Sequence, residues 1–140
     1  MPNVRPLNKE KYGISKNRFQ ELRYRCYQYD EWKKELNYSK DTVKAIEYGK
    51  EGKGSAPLGS ATENLAIRRA ELDQKCKIIE QTALEASGDL YKFVLEGVTN
   101  EEANYNYLHM IKGLPSEKKN EYYDARRMFY WLLDKKRWIY

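Results

Sequence analysis

The sequence is poor in the residues that build metal sites, disulfide frameworks and most active sites. Its 140 residues include one His and two Cys. The single histidine, His109, excludes any site that needs several His ligands. Cys26 and Cys76 form neither a disulfide framework nor a zinc-binding pattern, so we expect two reduced, buried thiols. Long apolar runs are also missing, and none approaches the roughly 18 residues needed to cross a bilayer.

Nucleotide-binding and catalytic patterns are scarce as well. The glycine-rich stretch GKGSAPLGS lacks the order of a phosphate-binding loop, and no β-branched strand precedes it. A nucleophile–base pair of Cys26 or Cys76 with His109 has no local support, and buried structural cysteine is the ordinary alternative. The first residues lack the apolar segment of a signal peptide. We therefore expect a cytoplasmic binding protein, not an enzyme, with no cofactor and no metal.

Charge is unevenly distributed along the chain. The formal net charge of +5 divides into +5 over residues 1–60, −4 over residues 61–111 and +4 over residues 112–140. Basic ends around an acidic middle have two explanations. One or both ends bind a polyanion, most simply nucleic acid, or both ends pack on the acidic middle within the fold. Charge alone leaves the two explanations about even.

The spacing of apolar residues predicts an all-α fold that starts with an N-terminal helical module, residues 1–48. A helix over about Ser15–Leu36 begins with a capping serine and has one apolar face, and Asp30 can interrupt it near its middle. A shorter helix covers Asp41–Tyr48. Residues 49–61 contain four glycines, two serines and one proline, which predicts a flexible linker.

The remaining residues, 62–140, are predicted to form a helical domain. Its first helix, from Thr62 to about Ala86, has a seven-residue repeat of apolar positions that is broken at Arg69. Because the repeat spans barely three heptads, it favours an intramolecular core helix over a dimer-forming coiled coil. A short helix from Leu90 to about Glu96 follows and is expected to end at Gly97.

The C-terminal end of the chain has the layout of a helix-turn-helix, over about residues 100–137. A helix over roughly residues 101–111 precedes a tight break with Leu114 buried between the helices, and a longer helix capped by Ser116 follows. The start of the long helix is predicted to face base edges, and its paired arginines and basic end to reach phosphates. The DNA-binding residues predicted on this basis are Ser116, Lys118, Lys119, Asn120, Tyr123, Arg126, Arg127, Lys135, Lys136 and Arg137.

Three stretches carry a resemblance that covers nearly the whole chain outside the linker. They read KYGISKNRFQELRYRCYQYDEWKKEL, then ATENLAIRRAEL with KCKIIEQTALEA and DLYKFVLEGVTN, then GLPSEKKNEYYDARRMFYWLLDKKR. They resemble a family of small proteins encoded by phages and prophages of Firmicutes, and the last stretch is similar to late-gene transcription regulators of the ArpU and RinA type. The resemblance implies a sigma-factor-like helix-turn-helix in which Lys118–Lys119, Tyr122–Tyr123 and Arg126–Arg127 belong to the shared pattern. Glu117 departs from that pattern, which is usually less acidic here.

The pattern and the resemblance together predict a phage-type, non-catalytic transcriptional regulator that binds double-stranded DNA, either alone or as a homo-oligomer. It would occupy a site near a promoter and contact or block host RNA polymerase. Two alternatives stay open. One is a small-terminase-like DNA-packaging protein that assembles into a ring, and the other is a phage anti-defence protein that inhibits a host nucleoprotein complex.

Overall fold

The computed structural model describes residues 13–48 and 58–136 of the chain, with side chains over residues 13–38 and 61–136. The described residues form helices and turns without a strand, so the all-α fold class is confirmed. No described helix is both long enough and apolar enough to span a membrane. In chain order the helices are α1 (Lys16–Cys26), α2 (Tyr29–Tyr48), α3 (Leu58–Ala86), α4 (Tyr91–Thr99), α5 (Tyr105–Met110) and α6 (Lys119–Lys135), and a 3-10 turn (Ser116–Lys118) precedes α6.

Two helices replace the single helix expected over Ser15–Leu36. The Ser15 side chain caps α1 by accepting a hydrogen bond from a backbone amide of its first turn. The interruption expected near Asp30 lies at Tyr27–Gln28, and Asp30 sits in the first turn of α2, where its charge favours the helix N-terminus. The helix predicted over Asp41–Tyr48 is the end of α2. The apolar face that α1 buries consists of Phe19, Leu22 and Cys26.

α2 and α3 lie side by side as an antiparallel pair. Lys33 pairs with Glu80 at 3.0 Å and Arg68 pairs with Glu35 at 3.1 Å, so the chain runs in opposite directions in the two helices. α3 begins at Leu58 instead of Thr62, since extending a helix that is already packed is far easier than starting one. Residues 58–61 of the predicted linker are therefore helical. The rest of that linker, residues 49–57, lies outside the described residues.

One hydrophobic core joins the two ends of the chain. The Phe19 and Tyr130 rings meet edge to face with their centroids 4.9 Å apart, and Arg18 Nε donates to an Asp134 carboxylate oxygen at 2.7 Å. Trp32 of α2 belongs to the same core. The prediction of a separate N-terminal module is therefore wrong for the described part of residues 1–48. An isolated helix as short as α1 is not stable, and its apolar face is buried only by packing on the C-terminal helices.

α4 is the helix predicted over Leu90–Glu96, but it continues through Gly97 to Thr99. At Gly97, the Tyr122 side chain of α6 lies directly against the backbone of α4. A Cβ at this position would lie 2.0 Å from the Tyr122 hydroxyl oxygen. The glycine thus marks a close contact between two helices, where a side chain has no room, and the expected helix end at Gly97 is wrong.

α5 is shorter than the helix predicted over residues 101–111. The Asn100 side chain accepts a hydrogen bond from the Glu102 amide at 3.0 Å, which holds this segment in a turn. The Asn104 side chain accepts from the Tyr107 amide at 2.9 Å and caps α5. Two asparagines that bond to nearby backbone therefore move the helix start to Tyr105.

Candidate nucleic-acid interface

α5 and α6 are joined by a tight turn that buries Leu114. Gly113 has a φ of +83°, in the left-handed region that favours glycine. The Leu114 amide donates to the Leu108 carbonyl oxygen at 3.0 Å, and His109 Nδ1 lies 2.6 Å from the Leu114 carbonyl oxygen. The Leu114 side chain is completely buried. The predicted break and the predicted burial of Leu114 are both confirmed.

The start of α6 differs from the prediction that Ser116 caps it. Ser116 is exposed and opens the 3-10 turn, where its carbonyl oxygen accepts a hydrogen bond from the Lys119 amide. α6 begins at Lys119, and no described side chain caps it. The 3-10 turn therefore satisfies the Lys119 amide without a side-chain cap, and the start of α6 carries the positive end of the helix dipole, which favours an anion such as a phosphate.

Aromatic contacts hold α5 against the start of α6. The Tyr105 ring stacks on His109 with centroids 5.7 Å apart, and it lies 6.3 Å from the Tyr123 ring. Lys119 Nζ lies over Tyr105, 4.7 Å from the ring centroid. Tyr123 is half-buried and packs against the core, whereas the Lys119 side chain is exposed. Of these two predicted DNA-binding residues, Lys119 is therefore the exposed one.

The first part of α6 presents several of the predicted residues to solvent, but acidic residues neutralise two of them. Lys118 Nζ is 3.3 Å from a Glu121 carboxylate oxygen, and Arg127 Nη1 is 2.9 Å from an Asp124 carboxylate oxygen. Exposed pairs of this kind contribute about 0–1 kcal/mol, so a phosphate can displace either carboxylate. The predicted residues that are exposed here are Ser116, Lys119, Asn120 and Arg127, and Lys118 is half-buried.

Arg126 does not share the exposed side of α6 with Arg127. Consecutive helix residues point about 100° apart, and Arg126 lies on the edge of α6 that also carries Tyr122 and Tyr130. Its Nε atom is enclosed by the protein. The two arginines, both predicted to reach phosphates, therefore point to different sides of α6, and Arg127 is the exposed one. Tyr122 lies four residues before Arg126 and Tyr130 lies four residues after it. This helical spacing is the signal that could have placed Arg126 on the same edge of α6 as the two tyrosines.

The basic residues at the end of α6 lie far from its start. With a rise of 1.5 Å per residue, roughly 24 Å of helix separates Lys119 from Lys135. Lys135 Nζ lies over the Trp131 ring, 3.9 Å from its centroid, and Lys136 pairs with Glu85 of α3 at 2.8 Å. Arg137 lies outside the described residues. The predicted DNA-binding set therefore forms two separate groups along α6 and not one patch.

The uneven charge distribution is partly explained within the fold. Lys33, from the basic segment of residues 1–60, pairs with Glu80, and Lys136, from the basic C-terminal end, pairs with Glu85. Both acidic residues belong to the acidic middle of the sequence. Part of each basic end thus packs on that middle, whereas Lys119 and Arg127 keep their charged groups at the surface.

Lys112 is a further exposed basic residue near the start of α6 that was not among the predicted DNA-binding residues. Lys112 is exposed in the turn between α5 and the 3-10 turn, and its Nζ lies 5.9 Å from the centroid of the Tyr107 ring. Met110 and Ile111, just before it, are 75% and 67% exposed. A lysine directly before the glycine of the α5–α6 turn is the signal that could have singled it out.

The two cysteines are buried and free, as predicted. Burial raises the pKa of Cys26 strongly and raises the pKa of Cys76 to about 11. Both thiols therefore stay protonated at neutral pH, and the protonated thiol is a poor nucleophile.

The exposed face of α6 offers charged hydrogen-bond donors and no arrangement of metal ligands. Within residues 13–48 and 58–136, no group of three or more His, Cys, Asp or Glu side chains could hold a metal ion. In comparisons with protein-family models, with curated proteins and with solved structures, the chain matches none of them.

Proposed function

We propose that the protein is a non-catalytic, phage-type regulator that binds double-stranded DNA through the helix-turn-helix at about residues 100–137. The observation that carries the proposal is the turn at Gly113–Leu114. Its buried leucine fixes α5 against the start of α6, where Lys119 and Asn120 are exposed. In a helix-turn-helix, the start of the second helix is the part that enters the major groove.

The residues around the start of α6 suit the two tasks of a DNA-binding surface, which are to contact base edges and to bind phosphates. Lys119 and Asn120 are exposed in the first turn of α6, where such side chains hydrogen-bond purine edges. Lys112 precedes these two residues in the chain and Arg127 follows them. Both are exposed, and their positive charges can bind phosphates. Glu121 and Asp124 oppose this charge, so we expect modest affinity and a strong dependence on salt.

The regulatory role rests on the resemblance to late-gene regulators. In this role the protein acts in the host cytoplasm, occupies a site near a promoter, and contacts or blocks host RNA polymerase. A ring-shaped assembly in light scattering would instead favour the DNA-packaging alternative. Co-purification with a host nucleoprotein, without affinity for free DNA, would favour the anti-defence alternative.

Fluorescence anisotropy with a labelled random-sequence duplex tests DNA binding directly. We expect the affinity for DNA to fall steeply as the salt concentration rises. Arg127→Ala should reduce the slope of log affinity against log salt concentration by about one unit. Lys77→Ala is the matched control, because Lys77 is an exposed lysine on α3 that also pairs with an acidic residue within its own helix. Equal losses in the two variants, or binding that salt does not weaken, would contradict the proposal.

A gain of affinity gives a second, independent test. The double substitution Glu121→Gln with Asp124→Asn removes two negative charges from the face and releases Lys118 and Arg127 from their pairs. We expect tighter DNA binding by about tenfold, which corresponds to about 1.4 kcal/mol. Unchanged affinity in this variant would place the DNA-binding surface elsewhere on the molecule.

A further inference from the structure

The outer side of α3 carries a regular line of exposed residues, opposite to the side that packs in the core. These residues follow one another at alternating spacings of three and four, and they are Ile67, Ala70, Gln74, Lys77, Gln81 and Leu84. All six are exposed, whereas Leu72 and Ile79 on the opposite side of the helix are completely buried. Spacings of three and four place side chains along one line of a helix, as in the contact line of a coiled coil. We call this line the outer seam of α3.

Large apolar side chains lie at both ends of the outer seam. Ile67 is 58% exposed and Leu84 is 48% exposed, and about 26 Å of helix separates them at a rise of 1.5 Å per residue. Burial of such side chains against another apolar surface is favourable, because it removes them from water. The two ends of the seam can therefore drive association, whereas its middle, Gln74 and Lys77, is polar.

A groove of about 710 Å³ lies along the outer seam from Ala70 to Leu84. Ile78 of α3 and Tyr91 of α4 add apolar surface to its lining. This volume is within the range of binding pockets in proteins. Ile67 lies outside the groove, so the seam has an exposed isoleucine at one end and a groove that contains Leu84 at the other. The surface thus offers both a side chain to insert and a place that can receive one.

The charged residues that line the groove are already paired within the chain. The ion pairs are Asp73–Lys77, Glu80–Lys33 and Glu85–Lys136, with nitrogen–oxygen distances of 2.7, 3.0 and 2.8 Å. Two acidic and two basic side chains contribute to the lining, so the lining has no net charge. Such a surface does not attract a polyanion such as DNA, and it suits an occupant that is itself neutral and partly apolar. The outer seam is a surface of this kind, because Asp73 neutralises its one charged residue, Lys77.

The spacings along the outer seam read the same from either end. From Ile67 forwards and from Leu84 backwards they are three, four, three, four and three residues. We propose that the outer seam binds a second copy of this chain in a two-fold symmetric, antiparallel dimer. In this arrangement Ile67 of each copy lies opposite Leu84 of the other copy, and Ala70 lies opposite Gln81. The two-fold axis repeats each contact, so both grooves are filled at once.

A parallel dimer fits the outer seam less well. It would place the two Lys77 side chains opposite each other, and the two Ile67 side chains would meet outside both grooves. In the antiparallel dimer Lys77 lies opposite Gln74 and keeps its ion pair with Asp73 of its own helix, so no unpaired charge is buried. The dimer uses one side of α3 and not the start of α6, so it does not depend on the proposed DNA binding.

Sedimentation equilibrium of the full-length protein over a wide range of protein concentrations tests the proposal. We expect a monomer–dimer equilibrium in wild type. Leu84→Glu should weaken dimerisation by about tenfold or more, because it places a charge in an apolar contact that occurs twice. Met128→Glu is the matched control, because Met128 is an apolar residue of α6 that is 41% exposed, and it should leave the dimerisation constant within about twofold. Both residues are exposed, so both variants should fold, and circular dichroism checks this.

Addition of Ile67→Lys to Leu84→Glu should restore most of the dimerisation. The two positions are too far apart to pair within one helix, but the antiparallel dimer brings each new positive charge beside a new negative charge of the other copy. A monomer at every concentration would leave the groove to another occupant and overturn the proposal. Equal effects of Leu84→Glu and Met128→Glu, or no recovery with Ile67→Lys, would also overturn it.

Cysteine cross-linking tests the alignment of the two copies. Ala70→Cys combined with Gln81→Cys should give a covalent dimer on oxidation in air, because these positions lie opposite each other in the antiparallel dimer. Neither single variant should do so, since Cys26 and Cys76 are completely buried. A covalent dimer of either single variant would indicate a parallel arrangement and contradict the proposal. A dimer without any DNA binding would refute the proposed function alone.

Discussion

Gly97→Ala should destabilise the protein, although alanine is ordinarily the better helix residue. In an open helix the substitution would stabilise α4 by about 1 kcal/mol. At this position the added Cβ would lie 2.0 Å from the Tyr122 hydroxyl oxygen and 3.2 Å from the ring carbon Cζ. Tyr122 is 1% exposed, so its ring has little room to move away from the added Cβ. Overpacking costs roughly 1–3 kcal/mol of stability, and we expect a contact this short to cost an amount near the upper end of that range. The expected net loss is about 2 kcal/mol of unfolding free energy.

Urea denaturation followed by circular dichroism measures this loss. Gly88→Ala is the matched control, because a Cβ at residue 88 would have no neighbouring atom within 4 Å. Tyr122→Phe provides the second arm of the experiment, since removing the hydroxyl relieves the shorter contact and should restore part of the stability of Gly97→Ala. Equal stability of the two alanine variants, or no recovery with Tyr122→Phe, would refute the close α4–α6 contact as the reason for Gly97.

Three further predictions concern the turn, the acidic middle and the docking of α1. Leu114→Asp places a charge at a fully buried position and should cost about 2–5 kcal/mol, so unchanged helicity and melting in circular dichroism would contradict its place in the core. The hydrogen bond from Lys136 lowers the pKa of Glu85 below its ordinary value of 4.5. The pair therefore stabilises the fold fully above pH 4.5, and this stabilisation is lost as the pH falls through the lowered pKa of Glu85. Melting temperature followed from about pH 6 to pH 3 should therefore fall less steeply in Glu85→Gln, and identical curves would show that the pair adds nothing. A double-mutant cycle of Arg18→Ala and Asp134→Ala should give a coupling of about 0.5–1 kcal/mol, and zero coupling would remove this pair from the contacts that dock α1 on α6.

Local sequence patterns predicted the helical elements and the one turn that matters most for the candidate site. The break at Gly113 and the burial of Leu114 follow from residues within a few positions of each other, and so does the cap formed by Ser15. The predicted helix boundaries were less accurate than the predicted positions of the helices. The late start of α5 depends on Asn100 and Asn104, whose side chains compete for backbone amides that a longer helix would use.

The candidate site could be predicted only in part. A helical repeat shows which side of α6 is apolar, and it therefore separates the buried Phe129 from the exposed Asn120. It does not show how wide the buried side is. That width depends on the neighbouring helices, and it reaches far enough around α6 for Arg126 Nε to be enclosed.

The sequence by itself determined that the protein is all-α, where its chain turns at Leu114, and that its cysteines are buried, because these properties depend on local spacing and composition. Only the tertiary structure decided that α1 belongs to the C-terminal core, that Gly97 makes room for Tyr122, and that Lys136 is paired with Glu85. Each of these involves residues far apart in the chain, which meet only because helix packing brings them together. The physical reason is that a helix pattern records which residues avoid water, but not which partner covers them.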